Sequence, residues 1–111
     1  MSCTLERIHS MRLFVEFDVS ADIIDVPESV IRNKEHLHRE FLKWLTNKQN
    51  KHKYWVTVQG HRGLCYRSDA FVEWLNDNYL KDSKEKAVIV QQYVSIKNEQ
   101  KLPSVFSESD R

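Results

Sequence analysis

Residues 11–47 read MRLFVEFDVSADIIDVPESVIRNKEHLHREFLKWLTN, and the change of period within them decides the fold class. Over 11–19 the apolar residues alternate: Met11, Leu13, Val15, Phe17 and Val19 point one way, Arg12, Glu16 and Asp18 the other. A period of two with β-branched and aromatic content predicts a half-buried strand. Phe14 breaks the polar face and predicts a second contact there. Residues 20–27 read as an acidic connection, after which the period becomes helical. Pro27 sits in the first turn, where its missing amide costs nothing, and Glu28 complements the helix dipole. At about 100° per residue Val30, Leu37, Phe41, Trp44 and Leu45 form one stripe, flanked by Ile31 and Leu42, which predicts a helix over 28–47. Lys34 falls inside that stripe and is expected to snorkel.

Working outward, Tyr54, Val56 and Val58 alternate with Trp55, Thr57 and Gln59, and the alternation resumes over 64–67. Gly60 and Gly63 bracket His61 and Arg62, which predicts a hairpin of 53–59 and 63–67 closed by a four-residue loop. Ser68 or Asp69 is a suitable cap for a helix over 69–80, whose apolar face holds Ala70, Phe71, Trp74, Leu75 and Tyr79. Asp82 to Glu85 has capping-box spacing and favours a third helix over 83–95, although Val88, Val90, Val94 and Ile96 also fit one face of a strand. The expected fold is therefore α+β. A small antiparallel three-stranded sheet carries two or three helices in a single domain over 11–97. Residues 1–10 read as an N-terminal extension and 98–111 as a polar, flexible tail in which Val105 and Phe106 are the candidates for docking. The expected core is Val15, Leu37, Phe41, Trp44, Val56, Phe71, Trp74 and Leu75.

A chain of 111 residues with 41% hydrophobic content suits one domain with a real core. Only two Gly and two Pro are present, too few for a many-stranded sandwich or barrel. No apolar run approaches the roughly 20 residues of a membrane span, and residues 1–10 lack an apolar signal core. Cys3 and Cys65 form no disulfide framework. A cytoplasmic chain with reduced thiols and no membrane partner is the expectation.

The net charge of +1 hides two opposed segments. From Leu13 to Ile31 the chain carries Glu16, Asp18, Asp22, Asp25 and Glu28 and no Lys or Arg. Between Glu40 and Asp69 it carries no acid, yet holds Lys43, Lys48, Lys51, Lys53, Arg62 and Arg67 with His52 and His61. Trp44, Tyr54, Trp55 and Tyr66 are interleaved with those cations. Segregated charge steers encounters and selects partners.

Motifs for catalysis and cofactors fail one by one. There is no G-x-G-x-x-G, P-loop, G-x-S-x-G or H-E-x-x-H. His61 and Cys65 lie four apart, but further zinc ligands at ligand spacing are missing among Cys3, His9, His36, His38 and His52. The 20–27 connection lacks the Gly and ligand positions of an EF-hand loop. No metal, no cofactor and no enzymatic activity are expected. The expected function is that of a small non-enzymatic interaction protein, such as an inhibitor or immunity-type partner of a larger protein. The acidic residues Glu16, Asp18, Asp22, Asp25 and Glu28 would cover a basic target. The alternative is a nucleic-acid-binding module using the basic 48–67 hairpin, with Lys48, Lys51, Lys53, Trp55, His61, Arg62 and Arg67 as its binding residues: Lys51, Lys53, Arg62 and Arg67 on phosphates and Trp55 exposed for stacking. The low net charge weighs against that alternative. A homodimer through the aromatic surface is a further partner expectation.

Overall fold

A computed structural model describes residues 10–95 and 102–107. The remainder of the expected extension (1–9) and most of the expected tail (98–101 and 108–111) lie outside the described residues. The elements are β1 (Ser10–Glu16), β2 (Ala21–Pro27), α1 (Glu28–Arg32), α2 (Lys34–Thr46), β3 (Trp55–Val58), β4 (His61–Leu64), α3 (Ser68–Asp77), β5 (Val88–Val94) and β6 (Ser104–Phe106). The class is α+β, as the periods require. The sheet is larger than expected: four strands in the order β5-β2-β1-β6, with β3 and β4 forming a separate two-stranded ribbon.

The largest correction is at 20–27. This stretch is not a connection but the central strand β2, antiparallel to β1 from Ser10↔Pro27 to Glu16↔Ala21. Its acids suggest a loop only while their partners are unknown. Asp25 faces Arg12 across the ladder at 3.4 Å, and Asp22 is matched by Arg67, far along the chain. The actual turn is 17–20, closed by the Phe17 amide donating to the Ser20 carbonyl at 2.7 Å. Leu13 and Val15 of β1 with Ile24 and Val26 of β2 present one apolar face to the helices. Phe14 is buried outside that cluster, opposite Ile23, which accounts for its break in the alternation.

The expected helix 28–47 is two helices. Asn33 sits between them at φ −115°, ψ 22°, and its side-chain amide donates to the Ser29 carbonyl at 2.9 Å. Asn competes for backbone partners in this way, so it is a natural place for a helix to break. Lys34 opens α2 and reaches the Ser104 carbonyl at 3.2 Å, tying the helix to β6. Leu37, His38, Phe41 and Leu45 are the buried side of α2. They meet Ala70, Phe71 and Leu75 of α3 and the inner sheet face.

The third helix expected over 83–95 is absent. Val88–Val94 instead forms β5, antiparallel to β2. β-Branched residues prefer the pleated surface, and here that preference outweighs the capping-box spacing. The tail also contributes: Ser104–Phe106 pairs parallel with β1, and Val105 is buried. The folded unit therefore includes residues beyond 97. Of the expected core, Val15, Leu37, Phe41, Phe71 and Leu75 are buried. Trp44 and Trp74 pack against the cluster only partly buried, and Val56 is exposed because the ribbon stands away from the sheet.

Candidate functional site

The ribbon is built on a tighter turn than its glycines suggest. Val58 pairs with His61, leaving Gln59 and Gly60 as a two-residue loop with φ of 52° and 79°. Two consecutive positive φ values define the type I′ turn, whose twist matches the strands it joins. Gly63 is not part of the loop; it lies opposite Val56 within the ladder. At the base, the Tyr54 carbonyl accepts from the Cys65 amide at 2.9 Å. The buried Tyr54 hydroxyl donates to Glu73 of α3, and burial followed by that carboxylate pushes the phenol up. Tyr66 donates to the Ser107 carbonyl at 3.1 Å, fixing the end of β4 to the residue after β6.

Strand alternation places Trp55, Thr57, Arg62 and Leu64 on one ribbon face, with Val56, Val58 and His61 on the other. The first face is covered by a rigid stack. Trp44 meets His52 with ring centroids 4.5 Å apart, His52 stacks on Trp55 at 5.6 Å, and the Arg62 guanidinium lies 4.4 Å from the Trp55 centroid. Hydrogen bonds hold the 47–53 loop against it. Trp55 Nε1 donates to the Asn50 carbonyl at 2.8 Å, Asn50 Nδ2 to the Trp44 carbonyl at 2.8 Å, and Arg62 to the Lys48 carbonyl at 3.1 Å. Lys48, Lys51 and Arg62 are all exposed, none is in an ion pair among the described residues, and Arg62 ties β4 to the Lys48 backbone of the loop. Lys53 stands aside, over the Tyr54 ring and 3.6 Å from Glu73. His61 projects from the opposite face. Trp55 is a half-buried post in the stack instead of a free stacking platform.

Arg67 does not belong to this surface. Its Nη2 donates to Asp22 Oδ1 at 2.6 Å and to Ser20 Oγ at 3.0 Å, and its guanidinium lies against the rings of Phe17 (4.2 Å) and Tyr93 (4.0 Å). Asp22 is fully buried on the inner sheet face and accepts further bonds from the Ser68 amide at 3.0 Å and the Tyr93 amide at 3.1 Å. It thereby caps α3 from another strand. Burial would raise the Asp22 carboxyl, but the bonds from Arg67, Ser68 and Tyr93 outweigh it and hold the group below its usual value. Bringing the Tyr93 amide onto Asp22 takes two irregularities in the β2–β5 ladder and a φ of 61° at Tyr93.

The acidic segment is dispersed in the same way. Asp22 is consumed by Arg67, Asp25 is paired with Arg12, and Glu28 with Arg32 at 3.0 Å. Only Glu16 and Asp18 of the five stand without a cation among the described residues. Sequence reasoning did not find His52 and Asn50 as parts of the ribbon surface. Nor did it find Phe17, Ser68 and Tyr93 around Asp22; no local motif marks them.

His38 is buried between Phe41 and Phe71, with ring centroids 5.7 and 5.0 Å away, and its Nε2 has no hydrogen-bond partner among the described residues. Cys65 is exposed and in no disulfide among the described residues. Among the described residues no group of three His, Cys, Asp or Glu is placed to hold a metal ion, and no helix is long and apolar enough to cross a membrane. No protein-family model, curated protein or solved structure matches the chain.

Proposed function

We propose that this chain is a non-enzymatic binding module whose contact surface is the β3–β4 ribbon with the 47–53 loop, and that its ligand is the phosphate backbone of a nucleic acid. The observation that carries this reading is that Lys48 and Lys51 of the loop and Arg62 of β4 are exposed and without an ion pair among the described residues, on a loop and ribbon tied together by the Trp44–His52–Trp55 stack and the Arg62 bond to the Lys48 carbonyl. A surface ordered before binding loses less entropy when it binds. Three cations give a weak, sequence-independent interaction in the range of about 10⁻⁴ to 10⁻⁶ M at physiological salt. Fluorescence anisotropy with mixed-sequence duplex and single strands tests it at low salt. Binding that is lost on replacing Lys48 and Lys51 by Ala supports the reading; binding untouched by that double variant removes the ribbon as its site.

The inhibitor or immunity-type reading remains the second. Its support is no longer the acidic stretch, most of which is paired internally, but the exposed apolar residues Val88, Ile89, Val90 and Tyr93 on β5. Exposed apolar clusters mark surfaces that meet other proteins. A stoichiometric partner whose capture is lost when Ile89 becomes Lys would favour it over the nucleic-acid reading.

A further inference from the structure

Gly63 lies inside β4, opposite Val56, and nothing in the fold calls for a glycine there. Its φ is not positive, and a Cβ built on it would meet no atom within 4 Å among the described residues. The β3–β4 register runs through it without a shift, so no bulge explains it either. Glycine inside a strand weakens the strand, and where no turn, bulge or packing demands it, it marks a place where a ligand approaches the backbone. The notch it leaves sits on the ribbon face opposite the Trp44–His52–Trp55 stack. Val56 and Val58 are 38% and 63% exposed on that face, and His61 is exposed beside them. No acidic residue lies anywhere between Glu40 and Asp69, so the ribbon and its loop suit a polyanion.

We infer that this open face enters the major groove of duplex DNA, an inference that rests on the phosphate-binding reading above and narrows its substrate. Val56, Val58 and His61 lie against the base edges there, and the approach is closest at Gly63. The ribbon's size and surroundings select this occupant. Each strand has four residues, so the ribbon is about 13 Å long with its strands roughly 4.8 Å apart, and it stands apart from the main sheet. The major groove of B-form DNA, about 12 Å wide and about 8.5 Å deep, admits a two-stranded ribbon of that kind. Single strands are held on free aromatic faces, and the ribbon offers none. The Trp55 ring is taken by His52 and Arg62, Tyr54 is buried, and Tyr66 is half-buried and bonded to Ser107. Duplex RNA has a deep, narrow major groove that side chains do not enter. In DNA, the valines offer apolar contact to thymine methyl groups, and the His61 ring nitrogens meet base-edge donors or acceptors.

Fluorescence anisotropy of the full chain at low salt tests it, with one mixed sequence supplied as duplex DNA, duplex RNA and single-stranded DNA. Duplex DNA should bind at least about tenfold more tightly than the other two. A DNA duplex whose cytosines carry glucosylated hydroxymethyl groups at C5 has its major groove filled, and should bind about tenfold more weakly than the plain duplex. Gly63→Leu fills the notch and should weaken duplex binding by about tenfold, while the thermal midpoint stays level or rises. Should Gly63→Leu fail to fold by circular dichroism, the glucosylated duplex decides with the unaltered chain. Equal binding of the three nucleic acids overturns the inference, and so does equal binding of the plain and glucosylated duplexes. A folded Gly63→Leu chain that binds duplex DNA unchanged overturns it as well. In each of those cases the phosphate reading still stands if Lys48→Ala with Lys51→Ala abolishes binding. Absence of binding to all three nucleic acids overturns both.

Discussion

Arg67 and Asp22 meet at 2.6 Å across 45 residues of chain, and the carboxylate in that pair is wholly buried. The pair joins the residue before α3 to the central strand. Through the same carboxylate it also fixes the α3 N-terminus and the bulged end of β5. Removing one partner of a buried pair strands the other charge in a poor solvent. Arg67→Met should therefore destabilise the chain by about 3–5 kcal/mol. Urea unfolding measures this directly. A loss below about 1 kcal/mol, the scale of a surface pair, would show that the contact is not buried in solution.

How much of this was legible follows from the reach of each interaction. The β1 alternation and the apolar faces of α2 and α3 are local patterns, and they appear in the structure close to their expected positions. β2 was not legible. Asp22 and Asp25 look like loop acids until Arg67 and Arg12 are placed beside them, and both of those pairings are non-local. β5 was legible only as an ambiguity between capping spacing and β-branching, which the ladder to β2 decides. At the candidate site, the basic character of residues 48–62 was visible in composition. The removal of Arg67 from that surface, and the occupation of the Trp55 ring by His52 and Arg62, are tertiary facts.

Burial holds the His38 ring well below its usual value, to about 4, against a smaller opposing pull from Glu35. Between the ordinary 6.5 and about 4, the unfolded chain binds a proton that the folded chain does not. Stability therefore rises with pH through that window and is lost as pH falls from 6.5 to 4, by about 3 kcal/mol in all. Asp22 acts separately: its lowered carboxyl stabilises the fold above the usual carboxylate range, and that contribution is lost only at still lower pH. Urea midpoints measured from pH 7 to 4 should show the slope in the native chain and little of it in His38→Phe. An unchanged slope in His38→Phe would assign it elsewhere.

Gln59 occupies the first position of a turn that requires positive φ, where Asn is far better suited. Gln59→Asn should raise stability by about 0.5–1 kcal/mol, without altering the surface used for binding. Thermal unfolding reads the change. A decrease would argue for the four-residue loop that the glycine spacing suggests.

Trp55 holds the loop through its indole N–H and through contacts with His52 and Arg62. Trp55→Ala should therefore cost about 2 kcal/mol of stability, less than a fully buried Trp because the ring is half-exposed. It should also loosen the 47–53 loop, seen as faster amide exchange there. Weaker binding to single strands with stability and exchange unchanged would instead make Trp55 a free stacking platform.

The central claim is that Lys48, Lys51 and Arg62 act together on phosphates, and its most direct measurement is the dependence of duplex-DNA affinity on salt. Each neutralised phosphate releases condensed counterions, so three contacts give a log–log slope near about −3, and Lys48→Ala with Lys51→Ala should flatten it by roughly two units. A slope near zero in the native chain, or one that the double variant leaves unchanged, would contradict the account.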